Sequence, residues 1–179
     1  MTTEKVTAYI TDGDRLLVFS HPHHPDAGIQ VPAGTVEQGE SLDDAVLREA
    51  REETGLDNLE IRSYLGVREY DLSPLGQSRI QRRHFFHLVL CGEAPTRWRH
   101  YEEYPSNGSS EPIEFEFFWA RFPDEVPELA GGQGELLHKL EHSCEQETEG
   151  VNESVHSIRG VEDSLSWGSG RNTGDAQRC

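Results

Sequence analysis

Alternating apolar positions open the chain. Val6, Ala8 and Ile10 lie two residues apart and share one face of a strand over 4–11. After Asp12-Gly13-Asp14, the run Leu16, Leu17, Val18, Phe19 reads as a second strand over 15–19, which makes a hairpin. His21 to Gly28 contains two prolines and reads as a loop, followed by a short extended piece at Gln30, Val31 and Pro32. Ser41 opens a helix, with Asp44 three residues on as in a capping box, and Gly55 ends it. Strands are predicted over 59–71 and 79–91, separated by a turn at Ser73-Pro74-Leu75-Gly76. A polar loop over 95–112, a strand over 113–122 and a short helix over 134–142 complete the pattern, with no internal repeat.

Composition divides the chain. Of 179 residues 34% are hydrophobic, and Val, Ile, Leu and Phe thin out after about residue 140. The expected organisation is a globular domain over 1–142 and a disordered tail over 143–179, because a polar segment buries too little apolar surface to offset its ordering entropy. Trp167 and scattered valines leave room for a partner-binding segment in that tail.

The net charge of -17 argues against nucleic-acid binding, non-specific or sequence-specific, because phosphate neutralisation needs Lys and Arg. Cys91, Cys144 and Cys179 show no metal or redox spacing and are expected to be reduced thiols. The first residues do not read as a signal peptide, and no apolar run approaches the ~20 residues of a membrane helix. A cytoplasmic location without membrane contact is the expectation.

The chemistry lies in residues 34–56, GTVEQGESLDDAVLREAREETGL. Helical residues advance by about 100°. Leu42, Ala45 and Val46 form an apolar stripe, and its continuation falls on Glu49, Glu52 and Glu53. One reading is a solvated acidic face paired with Arg48. The other is a divalent-cation site, and the second is favoured because the acids prolong the core stripe. Mg²⁺ suits clustered carboxylates, since it takes oxygen ligands and is shared with substrate phosphates. The helix holds no His or Cys, which disfavours zinc.

Gly34, Glu40, Arg48-Glu49, Ala50, Glu52-Glu53, Gly55 and Leu56 have the spacing of a known signature. The segment resembles the Nudix box. Ala50 is smaller than the usual aliphatic residue, and Ala33 replaces a glycine in the preceding Pro32-Ala33-Gly34. The signature covers 34–56, and the flanking strands extend the resemblance over about 4–140.

The resemblance implies an α+β fold, a Nudix-type α/β/α sandwich with a mixed central sheet. It implies Glu49, Glu52 and Glu53 as metal ligands, joined by the Gly34 carbonyl, with Mg²⁺ as cofactor and Mn²⁺ as substitute. Glu40 and Arg48 would hold loop and helix in register, and Gly55 would end the helix. The catalytic set would be Glu53, Glu52, Glu49 and Arg48. Glu53 is the candidate base, and Glu102, Glu103, Glu114 and Glu116 are alternatives from later in the chain. The implied reaction is water attack at phosphorus, cleaving a diphosphate bond in a nucleoside diphosphate-linked, nucleotide-like substrate. The alternative is a catalytically silent Nudix domain that binds or senses a nucleotide. Homodimers are common in the family and remain open here.

Substrate contacts are sought outside the box. His23, beside His21 and His24, sits in the proline-bounded loop. Arg82 and Arg83, with Arg79, are the densest basic patch, and either could grip phosphate or lie on an exposed sheet face. Arg79 and Arg83 should point one way and Arg82 the other. Tyr101, with Trp98 and Tyr104, could stack a base or pack its own loop.

Overall fold

A computed structural model describes residues 2–73, 79–102 and 112–140. The elements are β1 (Thr2–Asp12), β2 (Arg15–Ser20), β3 (Ala33–Thr35), α1 (Leu42–Thr54), β4 (Leu59–Asp71), β5 (Ile80–Leu90), β6 (Arg97–Glu102) and β7 (Ile113–Arg121). The strands form one seven-stranded sheet in the order β4-β5-β1-β2-β7-β6, with β3 paired to β1. β1 and β5 run parallel and the other pairings are antiparallel, so the sheet is mixed.

Alternation along β1 gives the sheet two buried faces. Val6, Ala8 and Ile10 pack with Leu17, Phe86, Leu88, Phe117 and the α1 residues Ala45, Val46 and Ala50. Tyr9 faces the other way with Leu16, Val18, Phe85, Leu129, Leu136 and Leu140. The result is a three-layer sandwich: α1, the sheet, and the segment over 126–140. Turns over 133–137 and helical backbone at 138–140 occupy part of the helix expected over 134–142, whose last two residues lie outside the described set. The expected tail, 143–179, lies wholly outside it.

Two expectations are corrected. Residues 97–102 form a strand, β6, rather than part of a polar loop. Its charged residues pair with those of β7, Arg97 with Glu116 at 2.9 Å and Arg99 with Glu114 at 3.1 Å. Such cross-strand pairs hide an edge strand from a pattern search for apolar alternation. Cys91 is disulfide-bonded, against the expectation of a reduced thiol there, while Cys144 and Cys179 lie outside the described residues. No described helix is long and apolar enough to cross a membrane.

Candidate active site

Strand direction gathers the site at one end of the sheet. The N-terminal ends of β1, β5 and β7 and the C-terminal ends of β2, β4 and β6 meet there. β3 is wedged beside β1 at this end, with Lys5 opposite Thr35 and Thr7 opposite Ala33.

β3 bonds to β1 along one edge: Ala8 N–H donates to Pro32 O at 2.8 Å and Val36 N–H to Glu4 O at 3.1 Å. The N–H groups of Ala33 and Thr35 project from the other edge. A backbone N–H in this position needs an acceptor. Helix α1 supplies two. Glu53 Oε2 accepts from Ala33 N–H at 3.2 Å, and Glu49 Oε1 from Thr35 N–H at 2.9 Å. Both acids are buried, at 7% and 4% exposure.

Local signals hold α1 in that position. Ser41 Oγ accepts from Asp44 N–H at 3.1 Å, a cap worth about 1 kcal/mol. The reciprocal arm of a capping box is replaced by a bond from the Ser41 hydroxyl to Asp44 Oδ2 at 2.7 Å. Gly55 takes the left-handed conformation, φ 73°, that favours glycine at a helix end. Beyond it, β6 contributes contacts that the sequence reading missed. Trp98 Nε1 donates to Thr54 O at 2.9 Å, and His100 Nε2 lies 3.0 Å from Glu52 O. These side chains meet the carbonyls that a helix leaves without internal partners.

Gly34 allows the close approach of loop and helix. A Cβ there would overlap the Glu49 carboxylate. Arg48 ties the same pieces together from outside. Its Nε and Nη2 donate to the two oxygens of Glu40 at 2.8 and 3.0 Å, and Nη2 also donates to Thr35 O at 3.0 Å. Glu40 in turn accepts from Glu37 N–H at 2.9 Å. The Arg48 bond is the main reason that Glu40 ionises below the usual carboxylate range. The same bond raises Arg48 further above its already high value. Burial pushes Glu49 the other way, upward, against the opposing pull of Arg48.

Glu52 does not share the inward face. Its side chain is 55% exposed and bonds Arg48 Nη1 at 3.0 Å. It sits about 100° around the helix from the centre of the buried stripe, whereas Glu49 and Glu53 fall within it.

The other nominated residues separate into two groups. His23 Nε2 lies 2.9 Å from Glu114 Oε2, and the Tyr101 hydroxyl donates to Glu114 Oε1 at 2.7 Å. Glu114 is buried, and the Tyr101 bond, with Arg99 beside it, holds its carboxyl below the usual range. Glu116 is taken up by Arg97 and Arg99. The arginines diverge as expected. Arg82 pairs with Glu4 at 3.3 Å and Glu69 at 3.2 Å. Arg83, on the opposite face, donates to Gly131 O at 2.6 Å and lies over the Tyr70 ring. The Glu102 side chain, Glu103 and Tyr104 fall outside the described residues.

Lys5 is a further residue absent from the sequence reading. It faces the sheet side away from α1's apolar stripe, yet Glu49 and Glu53 both act on its charge. Burial lowers its ammonium pKa, and Arg83 and Arg79 add to that effect. Only its register opposite Thr35 and Arg83 reveals the placement.

Glu49, Glu52 and Glu53 fit a hard divalent cation by donor type. Each carboxylate has about four lone-pair sites, so a backbone bond does not exhaust one. Their rotamers form no three-ligand cluster among the described residues, because Glu52 turns to Arg48. A side-chain rotation of this exposed residue would be needed to add it to the buried pair.

A family model, the NUDIX domain, matches residues 1–140. The chain belongs to the Nudix family. Over 55 residues it is 38% identical to the NAD-capped RNA hydrolase NudC of Vibrio atlanticus (strain LGP32), a match covering 31% of this chain and 20% of that protein. The matched segment thus spans a fifth of that relative's length. This Nudix fold is similar to a UDP-X diphosphatase structure, with TM-score 0.53 and 20% identity over 80% of this chain and 64% of that one. It is similar also to the E. coli ORF135 protein, with TM-score 0.51 and 22% identity over 76% and 86% of the two chains. A MutT NUDIX hydrolase from Burkholderia pseudomallei matches with TM-score 0.50 and 20% identity over 77% and 97%. The expected α/β/α sandwich with a mixed sheet is the fold of these proteins.

Proposed function

We propose that this Nudix domain is a Mg²⁺-dependent pyrophosphohydrolase that cleaves the diphosphate linkage of a nucleoside diphosphate-linked substrate. The observation that supports it most is the burial of Glu49 and Glu53 side by side on the N–H groups of Thr35 and Ala33. Two acids at the end of a core stripe serve no packing purpose and are costly to bury.

A divalent cation, when bound, would neutralise substrate charge and make a water molecule more acidic. Glu49, Glu52 and Glu53 are the residues to hold it, whereas the Gly34 carbonyl, expected to join them, belongs to the β3 edge that pairs with Val6 of β1. The chain's own chemistry is then simple. Water oxygen bonds to phosphorus, the bridging P–O bond breaks, and the departing phosphate carries away the electron pair. Glu53 takes the water proton, and its Ala33 bond fixes the carboxylate in orientation. Arg48 and Glu40 act as positioning residues, since they bond to the loop and helix rather than to one another alone.

The test is incubation of the full chain with Mg²⁺ or Mn²⁺ and a panel of nucleoside triphosphates, nucleotide sugars, ADP-ribose, NAD and dinucleoside polyphosphates, with products identified by mass. The NudC relative's printed name is the reason for including NAD. Cleavage at a diphosphate supports the hydrolase. Tight nucleotide binding with no turnover would favour the silent domain. Cytoplasmic location and homodimerisation are further expectations, checked by cell fractionation and light scattering.

A further inference from the structure

Among the described residues, most cations are committed to an acceptor. Arg15, Arg48, Arg68, Arg82, Arg97, Arg99 and Arg121 all pair with carboxylates. Arg83 donates to Gly131 O and to Gln81 Oε1.

Lys5 and Arg79 differ. Among the described residues, neither side chain has a hydrogen-bond or ion-pair partner, which is true also of Arg51, exposed on α1 and away from this group. Yet Lys5 is partly buried and lies where Arg83, Arg79, Glu49 and Glu53 all act on it. Register explains the grouping. Lys5 is opposite Arg83 across the parallel β1–β5 pair, on the same face of the sheet. Arg79 precedes β5 by one residue, and strand alternation carries it to that face as well. Lys5 is also opposite Thr35, whose N–H holds Glu49.

Three cations held close together repel one another, and partial burial of Lys5 adds a desolvation cost. Glu49 and Glu53 offset part of this. The missing element is an acceptor with several oxygens and negative charge. A phosphate meets both needs.

We propose that Lys5, with Arg79 and Arg83, forms an anion subsite flanking the Glu49–Glu53 pair, and that it receives the phosphate on the far side of the scissile bond. This rests on the hydrolase reading for the role of the bound anion, but not for the existence of the subsite. Lys5 supplies a point charge on which both acids act. Arg79 supplies a second donor at the open end. Arg83 is fixed by its bond to Gly131 and adds to the field. Arg82 takes no part, because it lies on the opposite face between Glu4 and Glu69. The geometry favours substrates with a diphosphate over those with one phosphodiester, since one phosphate must sit at the acids while another reaches Lys5.

The experiment is calorimetric titration of the full chain with imidodiphosphate in Mg²⁺, a probe whose P–N–P link resists hydrolysis. Lys5→Met should weaken binding about tenfold, the scale of a lost charge-assisted bond. Lys5→Arg should restore it to within about threefold of wild type. Arg79→Met should weaken it by a smaller factor. Arg121→Met, at the other end of the sheet, should leave it unchanged. If Lys5→Met unfolds, Lys5→Gln serves in its place, with the unliganded melting temperature as the fold check. In turnover, loss of Lys5 should raise KM more than it lowers kcat, which a merely structural role would not do. Unchanged imidodiphosphate affinity in folded Lys5→Met, or an equal loss in Arg121→Met, would overturn the subsite. Lys5-dependent binding without turnover of any panel substrate would leave the subsite standing and remove the hydrolase. Turnover with affinity and KM indifferent to Lys5 would do the reverse.

Discussion

Gly34 and the Glu49 carboxylate lie so close that a methyl group on Gly34 would overlap the acid. The glycine is required here for space rather than for a left-handed backbone. Gly34→Ala should therefore push Glu49 off the Thr35 N–H. The expected cost is about 1–3 kcal/mol of stability, together with a loss of turnover well beyond tenfold. Denaturant unfolding and steady-state rates check both. A variant as stable and active as wild type would mean that the loop and helix separate easily.

Arg48 grips both oxygens of Glu40. A lysine ammonium cannot reproduce that fork. Arg48→Lys should lower stability by about 1 kcal/mol, a modest figure because the guanidinium is partly exposed to screening solvent. Arg48→Ala should cost more, since Thr35 O and both Glu40 oxygens lose the guanidinium's bonds. Urea titration of the two variants measures the order, and Arg48→Lys proving the less stable would contradict it.

The pH dependence of stability should carry a mark of His87. Burial lowers its pKa from 6.5 to about 4, with Arg62 adding to the effect. Between those values the unfolded chain binds a proton that the folded chain refuses, so stability falls as pH falls. The contribution is fully present above pH 6.5, and its loss by pH 4 is on the order of 3 kcal/mol. Wild type should therefore lose more melting temperature from pH 7 to pH 4.5 than His87→Gln does. Parallel pH profiles would show that His87 is not responsible.

Much of the site was legible because its signals are local. Ser41 and Gly55 bound α1, and the fixed spacing from Gly34 to Leu56 identified the family before any contact was known. Tertiary register was not legible. Helical periodicity placed Glu52 with Glu49 and Glu53, but a three-residue step turns backward from the stripe while a four-residue step turns forward. Lys5 carries no motif, and only the pairing of β1 with β3 and β5 brings it to the acids. Trp98 and His100 looked like loop residues because β6 is an edge strand stabilised by charge pairs rather than by apolar alternation. Arg82 and Arg83 were correctly placed on opposite faces, since strand alternation depends on sequence alone.

Mg²⁺ at millimolar concentration should raise the melting temperature of wild type, because a ligand of the folded state stabilises it. The gain should shrink in Glu49→Gln, which removes a buried charge from the pair. An equal gain in both proteins would place the cation elsewhere.

Hydrolysis in ¹⁸O-labelled water tests the central claim most directly. The substrate is the best one from the panel, and wild type is compared with Glu53→Gln. The account predicts one ¹⁸O atom in a phosphate group of the product, none on a ribose carbon, and a rate in Glu53→Gln lower by several orders of magnitude with the fold intact. Label on carbon, or a Glu53→Gln rate within a few-fold of wild type, would contradict water attack at phosphorus assisted by this acid.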